Sequence, residues 1–321
     1  MKSKISLLLV IVMIAFLTTH CKKKKKEDVP SVVDSTTPTT PATTFTAISQ
    51  VFAALGAPTQ NFTVNAASGT TLNVNNVLIE IPVNAFNDPS TSLPATGTVT
   101  VTARTILTKS QIMFSGAGAN TTGSRLISTK GCVKVTASQN TQSLRIGTSG
   151  TVFVDIPDPL GLTPMKKYYA TKVTAVDSTI VWDLGTDVND IPMTPISSVN
   201  HHRAALDSLK WLNVGVMWDS LTTNKSAVIL NTDTMFNNTN SVFYLSLNGS
   251  LTVGAFFQLA PGKFRISNIP NGRGVHIVGL AVKNGQYYSA VMSTATGAVG
   301  YSLNMQPKSL SQIQTDFAAI P

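Results

Sequence analysis

The sequence has little charge, very little glutamate and almost no cysteine. Charged residues make up 12% of the 321 residues, about half the usual share, and the only glutamates are Glu27 and Glu80. Helix bundles and coiled coils depend on Glu, Lys and Ala, so this composition disfavours them. Two cysteines are too few for a disulfide-rich scaffold. Thr, about one residue in eight, instead favours short strands joined by polar turns.

The formal charge of +9 is concentrated near the N-terminus. Two lysines in the first four residues and the run Lys22–Lys26 account for seven of 24 basic residues, and the two residues after that run are acidic. Residues 29–321 therefore have 17 basic and 13 acidic residues, a net charge of +4. No basic stripe with interleaved aromatics occurs, so no nucleic-acid partner is predicted.

The first 21 residues have the pattern of a targeting segment. Lysines 2 and 4 precede an apolar run of 13 residues, 5–17, which is too short to span a bilayer comfortably. Cys21 follows four residues later. This pattern resembles a bacterial lipoprotein signal, which implies removal of residues 1–20 and acylation of the Cys21 thiol. His20 stands where that family prefers a small residue, and an uncleaved signal anchor or an ordinary signal peptide cut elsewhere are the alternatives.

Residues 21–45 are predicted to form a disordered tether. The lysine run is followed by Val29–Thr44, which is rich in Pro and Thr without periodicity, a composition typical of extended spacers. This opening resembles the tethers of Bacteroidetes-type lipoproteins. It implies a location in the cell envelope, lipid-anchored to the outer membrane and facing either the periplasm or the cell surface. The lysines would lie near anionic headgroups.

The remaining chain is predicted to be all-β. Thr98–Ala103 alternates Thr with Val or Ala, so that one face is apolar. Short amphipathic helices are expected near 46–55 and 309–319, the second after the capping-box pattern Ser309–Gln312. From Asn61 the period changes to two, with strands expected at 61–65, 70–74, 77–81, 97–107, 131–137, 151–156, 168–176 and 179–184. A second series of strands is expected at 209–218, 226–231, 241–247, 251–258, 263–269, 275–282 and 286–292.

These strands are predicted to form two β-sandwich-like domains. The first would cover 46–186. Alternation is lost after it and prolines appear, so 187–208 is predicted to be a linker. The second domain would cover 209–321 and include the C-terminal helix.

A series of short segments in the first half resembles a known β domain. The segments are Gln60–Asn65, Gly69–Leu72, Val77–Phe86, Gly97–Val101, Leu126–Gly131 and the strand ending at Ala137. Their order resembles the ZU-five-type domain of ankyrins and netrin receptors, and Ile81-Pro-Val-Asn-Ala-Phe86 is the most specific element. Phe264–Gly272 and Val275–Val278 are similar to carboxypeptidase-regulatory-like (transthyretin-like) sandwiches. The first resemblance implies a protein-binding module without catalytic residues.

Few residues suggest catalysis. Alternation with Ile79 and Ile81 places Glu80 towards solvent. Asp155 and Asp158 lie in Asp-Ile-Pro-Asp-Pro, where Asp commonly starts turns. Cys132 lies in an alternating segment with no neighbouring His or acid and is expected to be a packing residue. No enzyme activity and no cofactor are therefore predicted.

Two groups of residues are weighed as metal ligands. Asp183, Asp187 and Asp190 offer oxygen ligands for calcium, but their spacing is not that of an EF-hand. His201 and His202 are adjacent, so on a strand they point to opposite faces and do not readily share one metal. Both groups are expected to belong to polar linker structure, and no metal site is predicted.

The function predicted from the sequence is a non-catalytic cell-envelope lipoprotein, a protein-binding, adhesion or scaffold module. It would bind the membrane through Cys21 and an envelope protein or glycan through its β domains. The alternative is a carbohydrate-binding or glycan-processing surface lipoprotein. That alternative needs exposed aromatic side chains, and its candidates are Trp211, Trp218, Tyr287 and Tyr288.

Overall fold

The computed structural model describes residues 32–35, 45–148, 150–159, 164–173, 180–184, 191–196, 199–218, 224–297 and 300–321. Over these residues the chain is mostly β, with several antiparallel sheets, which confirms the predicted fold class. The leader, Cys21 and the lysine run lie outside the described residues. The helices are α1 (Ile48–Leu55), α2 (Lys109–Phe114) and α3 (Leu310–Ala318).

The strands, in chain order, are β1 (Val32–Ser35), β2 (Thr59–Asn65), β3 (Thr70–Val74), β4 (Val77–Ile81), β5 (Phe86–Asn87), β6 (Thr98–Ile106), β7 (Ile127–Gln139), β8 (Gln142–Ser143), β9 (Arg145–Ile146), β10 (Phe153–Pro157), β11 (Lys166–Val173), β12 (Ile180–Leu184), β13 (Met193–Ile196), β14 (Val199–Ala205), β15 (Trp211–Met217), β16 (Lys225–Asn231), β17 (Ser241–Leu247), β18 (Val253–Ala255), β19 (Phe257–Ala260), β20 (Lys263–Pro270), β21 (Gly274–Lys283), β22 (Gln286–Ala295), β23 (Gly300–Ser302) and β24 (Gln306–Pro307).

The first sandwich packs two sheets face to face. One has the order β1-β2-β6-β7-β15-β11-β12, with β8 paired to β7, and the other has the order β13-β14-β10-β4-β3. As the alternation predicts, Val99, Val101 and Ala103 of β6 are buried. They belong to one apolar core with Ile79 and Val154 of the facing sheet.

The second sandwich is built from the later strands. Its sheets have the orders β19-β20-β16-β23 and β18-β17-β21-β22-β24. Leu230, Phe264 and Ile266 of the first sheet share a core with Phe243 and Ile277 of the second. The rings of Phe243 and Phe264 have centroids 4.4 Å apart.

A third set of buried residues, which we call the central core, joins the two sandwiches. It contains apolar residues of α1, α2 and α3 together with Trp182 and Trp211 of the first sandwich and Tyr244 and Val278 of the second. The Tyr244 hydroxyl donates a hydrogen bond to the main-chain oxygen of Met113 in α2, 3.0 Å away. The three helices therefore lie in a layer to which both sandwiches contribute.

The structure corrects the predicted linker at 187–208. Its described part contains β13 and β14, which pair with each other and with β10. β15, predicted to open the second domain, lies between β7 and β11 of the first sandwich. β14 was missed because its fully buried positions include a polar residue, His202, so its sequence lacks apolar alternation.

A second correction concerns the predicted disordered tether at 21–45. Val32–Ser35 form β1, which pairs antiparallel with the edge strand β2. Two consecutive β-branched valines favour an extended backbone, and an edge strand offers main-chain groups for pairing.

The two predicted helices are confirmed, and a third appears. α1 and α3 lie within 46–55 and 309–319, and Ser309 caps α3 by accepting from the main-chain N–H of Gln312. The short helix α2 was not predicted. It starts with a capping box in which the Thr108 hydroxyl accepts from the main-chain N–H of Gln111.

Candidate functional site

A cleft of about 640 Å³ lies where the two sandwiches and the end of α3 meet. We call it the inter-sandwich cleft. The first sandwich contributes the start of α2, residues Ser128–Lys130 of β7 and the turn after β10. The second contributes the turn Gly249–Leu251 between β17 and β18, and the segment after α3 closes one side. A ligand there would contact both halves of the molecule.

One wall of the cleft contains a chain of buried polar groups. Lys130 Nζ lies 3.0 Å from Asp158 Oδ1, and His202 Nε2 lies 2.8 Å from Asp158 Oδ2. Asp158 and His202 are almost fully buried, whereas Lys130 is partly exposed. Within the described residues, Nδ1 of His202 is buried without a hydrogen-bond partner. Three elements therefore converge on one carboxylate: β7, the end of β10 and β14.

Gly131, which follows Lys130 in β7, lies where β7 comes close to Leu107 and to Ile156 of β10. A Cβ at this position would lie 2.7 Å from the Leu107 side chain and 3.6 Å from that of Ile156 in β10. Glycine therefore allows β7 to approach Leu107 closely, whereas the distance to Ile156 is that of ordinary contact. Lys130, the residue before Gly131, lies beside the turn that carries Asp158.

Lys109 is the second cation of the cleft, and only 5% of the residue is exposed. Its Nζ donates to the main-chain oxygen of Leu247, 2.8 Å away, and to that of Pro321. Burial lowers the pKa of Lys109. The pKa of His276, in the second sandwich, is also lowered, by burial first and then by the charge of Lys109.

Asp155 and Glu80, two of the acidic residues considered in the sequence analysis, share one partner, Arg203. Asp155 lies within β10 and is buried, 2.9 Å from an Arg203 guanidinium nitrogen, and Arg203 also bonds Glu80. Arg203 stacks over the Phe153 ring at 4.1 Å. Burial raises the pKa of Asp155, and the charge of Arg203 opposes that rise. Glu80 is 45% exposed at its side chain, which confirms its expected position towards solvent.

The prediction that Asp155 starts a turn is therefore wrong, because it lies within β10, whereas Asp158 does lie in the turn after β10. Each carboxylate is almost completely buried and bonded to a side chain of another strand. A buried carboxylate needs such partners because desolvation is costly. The partners lie 28 to 48 residues away in the sequence, and no local pattern links them.

Most metal-ligand candidates are placed by the structure. His201 and His202 of β14 are both buried and have different partners, Val199 for the first and Asp158 for the second. Asp183 accepts a hydrogen bond from Thr122. Asp187 and Asp190 lie outside the described residues. Among the described residues, no group of three or more His, Cys, Asp or Glu could hold a metal ion.

The four aromatics considered for sugar binding all have intramolecular partners. Trp211 is buried in the central core. Trp218 Nε1 donates to the Thr252 hydroxyl at 2.7 Å. The Tyr287 hydroxyl accepts from a main-chain N–H, and Tyr288 packs edge-on against another ring.

Cys132 is fully buried in the central core, the position expected of a packing residue. Burial raises the pKa of the Cys132 thiol to about 12. A thiol in this environment is a poor nucleophile, because the thiolate is the reactive form.

An exposed apolar strand lies at one edge of the second sandwich. β19 is the outermost strand of its sheet. Phe257 is 44% and Leu259 is 53% exposed. The pairing of β19 with β20 is irregular between Gln258 and Ala260. Exposed apolar side chains on an edge strand are uncommon, because such strands invite pairing with other chains.

Together these features define an all-β protein of two sandwiches joined by a layer of helices, with a cleft between the sandwiches and exposed apolar side chains on the edge strand β19. Comparison with models of known protein families and with curated proteins finds no match to this chain. None of the described helices has the length and apolar character needed to cross a bilayer.

Proposed function

We propose that this chain is a non-catalytic lipoprotein of the cell envelope that binds a protein partner along β19. Three sequence features support the location: the leader, Cys21 and the lysine run. The resemblance of residues 60–185 to a protein-binding β domain supports the kind of activity. The observation that carries the proposal is the exposure of Phe257 and Leu259 on an edge strand.

The chemistry of β19 suits strand addition. One side of the strand pairs with β20, and the order of strands places no described strand on its other side. A partner strand would gain main-chain hydrogen bonds along β19, and the exposed apolar side chains would add affinity and register. Complete burial of a fully exposed side chain of this size contributes about 1.5–3 kcal/mol, and because Phe257 and Leu259 are 44% and 53% exposed, a partner would gain roughly half of that from each.

Photo-crosslinking in the cells that make the protein tests the partner site. We would place p-benzoylphenylalanine at Phe257, and in a matched chain at Leu93. Leu93 is 65% exposed and belongs to the loop between β5 and β6 of the first sandwich. We expect a discrete adduct with another protein from position 257 and none from position 93. Equal adducts from both positions, or none from 257, would contradict binding along β19.

Metabolic labelling tests the anchor independently. We expect the wild-type chain to incorporate labelled palmitate and to fractionate with the outer membrane, and the Cys21→Ala chain to do neither. A Cys132→Ala chain, which keeps the proposed acylation site, serves as the control and should be labelled normally. Palmitate label that persists in Cys21→Ala would exclude acylation at this residue.

A further inference from the structure

The net positive charge beyond the lysine run belongs to the second half of the chain. Residues 29–321 have 17 basic and 13 acidic residues. Residues 224–321 contain six of the basic residues and only two of the acids, so residues 29–223 have 11 of each and no net charge. A partner attracted by charge would therefore approach the second sandwich rather than the first.

Two of these cations lie beside β19. Lys263 and Arg265 belong to β20, the strand that pairs with β19. Both are exposed, whereas Phe264 between them is buried in the core of the second sandwich. Arg265 lies opposite Phe257 and Lys263 lies opposite Ala260, and residues opposite each other in neighbouring strands share one face of the sheet. The outer face of this sheet therefore has exposed apolar side chains next to two cations.

Neither cation has an acidic partner within the part of the chain that the structure describes. No described carboxylate lies within ion-pair distance of Lys263 or Arg265. Of the two acids in residues 224–321, Asp316 is paired with another lysine. The other acid, Asp233, accepts a hydrogen bond from a main-chain N–H two residues further along. The β19–β20 face is thus basic and lacks an ion pair of its own.

The position of the charge distinguishes among possible occupants of β19. The strand itself, Phe257–Ala260, has no charged residue, although charges on an edge strand are a common protection against pairing. Pairing with β19 of a second copy would bring two sets of like charges together, which opposes it. A bilayer would cover Phe257 and Leu259 but would leave main-chain groups of the edge strand without partners. A strand of another protein with acidic side chains matches the main-chain, apolar and charged features together.

The spacing of strands allows the cations to reach an added strand. Neighbouring strands lie about 4.7–4.9 Å apart, so a strand added to β19 would lie about 10 Å from β20. The long side chain of Arg265 and that of a glutamate on the added strand together span this distance. Their aliphatic stems would cover Phe257, since such side chains bury their methylene groups and keep the charge in water.

We infer that the partner of β19 is an acidic strand: an extended segment with Glu or Asp side chains on the face shared with Phe257 and Arg265. The carboxylates pair with Lys263 and Arg265, and the main chain pairs with β19. This inference rests on the proposed function, because it names the chemistry of the strand that is added there.

Photo-crosslinking of the purified full-length protein with p-benzoylphenylalanine at Phe257 tests the inference. The probes are two fluorescent octapeptides, one alternating Val and Glu and the other alternating Val and Lys. We expect the acidic peptide to reach half-maximal adduct at a concentration at least tenfold lower than the basic peptide. Added salt should reduce this preference, because exposed charges are screened. Adducts at position 257 report binding at β19, so the lysine run near the N-terminus does not contribute.

Charge reversal provides the matched variants. In Lys263→Glu/Arg265→Glu we expect the preference between the two peptides to reverse, and because both side chains are exposed, the fold should be retained. Arg145→Glu makes the same change at an exposed arginine of β9 in the first sandwich. The preference for the acidic peptide should stay unchanged in that chain.

The outcomes separate this inference from the proposed function. Equal crosslinking of the two peptides, or a preference that persists in Lys263→Glu/Arg265→Glu, would leave strand addition intact and overturn the acidic partner. Adducts with neither peptide would contradict strand addition to β19, and both proposals would be wrong.

Flotation with vesicles of phosphatidylglycerol and phosphatidylcholine tests lipid head groups as another source of negative charge. We expect the wild-type chain and Lys263→Glu/Arg265→Glu to float equally. If flotation falls in the variant while its peptide adducts match those of the wild type, the basic face binds lipid and the acidic-strand proposal is wrong.

Discussion

Truncation of Phe317 tests whether the central core contributes to the free energy of unfolding of both sandwiches. Phe317 lies on α3 and is completely buried. Its ring stacks on that of Phe114 in α2, with centroids 4.9 Å apart and an interplanar angle of 22°. Phe317→Ala would remove the ring from the layer where α2 and α3 meet, and the rest of α3 would keep its capping box.

The expected loss of unfolding free energy is about 3–5 kcal/mol, the usual cost of Phe→Ala in a core. The upper part of this range applies because the offset-stacked pair contributes about 0.5–1.5 kcal/mol beyond its buried area. Collapse of the site would reduce the cost. The main chain of Phe114 is close-packed against the end of α1, since a Cβ at Gly56 would lie 3.0 Å from the Phe114 oxygen, so the space left by the Phe317 ring should close only partly.

Urea unfolding followed by tryptophan fluorescence measures the effect. Trp182 and Trp211 belong to the central core, and Trp218 packs against the core of the second sandwich. We expect a lower midpoint in Phe317→Ala for both groups of tryptophans. Phe257→Ala, an exposed phenylalanine, is the matched control and should change stability by less than about 0.5 kcal/mol. A loss below about 1 kcal/mol in Phe317→Ala, or one equal to that of the control, would refute a shared core.

Two further predictions follow from buried titratable groups. Because the pKa of Asp155 in the folded protein is raised above its usual value of 3.8, the folded state binds the proton more tightly. The contribution of Asp155 to stability is therefore greatest below that value and falls as pH rises through the folded pKa. Arg203→Gln removes the charge that lowers this pKa, so the loss of stability caused by the variant should grow between pH 3 and pH 7, as measured by urea unfolding. In an Asp155→Asn background, the loss caused by Arg203→Gln should depend less on pH. Equal pH dependence in the two backgrounds would contradict the assignment to Asp155. In a Cys21→Ala chain, the remaining thiol of Cys132 should not react with Ellman's reagent at pH 8 until urea unfolds the protein, because burial raises its pKa to about 12; rapid reaction of the folded chain would show that this part of the core is open.

Much of the fold could be predicted because the relevant information is local. In β6 every second residue is apolar, and that period alone determines which face is buried. The capping box at Ser309–Gln312 likewise needs only residues within one helical turn. Turn positions such as Asn75 and Asn76, which have positive φ, also follow from residue type.

The polar residues of the cleft could not be predicted in the same way. Lys130, Asp158 and His202 are ordinary surface residue types, and Asp158 is buried in contact with both of the others. Their contact depends on the pairing of β10 with β14 and on the approach of β7 to β10, which are determined by the whole sandwich. The missing alternation in β14 has the same origin, since a buried histidine satisfied by a distant carboxylate interrupts the apolar pattern.

One strand of the second sandwich, β17, has a sequence that requires an apolar layer on both sides of its sheet. All seven residues of β17 are buried, and Val242, Phe243, Tyr244 and Leu245 form an uninterrupted apolar run. A strand that is apolar on both faces needs a layer on each side of its sheet. The opposite sheet of the second sandwich covers the face of Phe243 and Leu245. The face of Val242 and Tyr244 requires a second cover, and the helices against the first sandwich provide it. Separation of the two sandwiches would therefore expose the face of Val242 and Tyr244 to water. The two sandwiches thus form one packed structure, and the central core fixes the shape of the cleft between them.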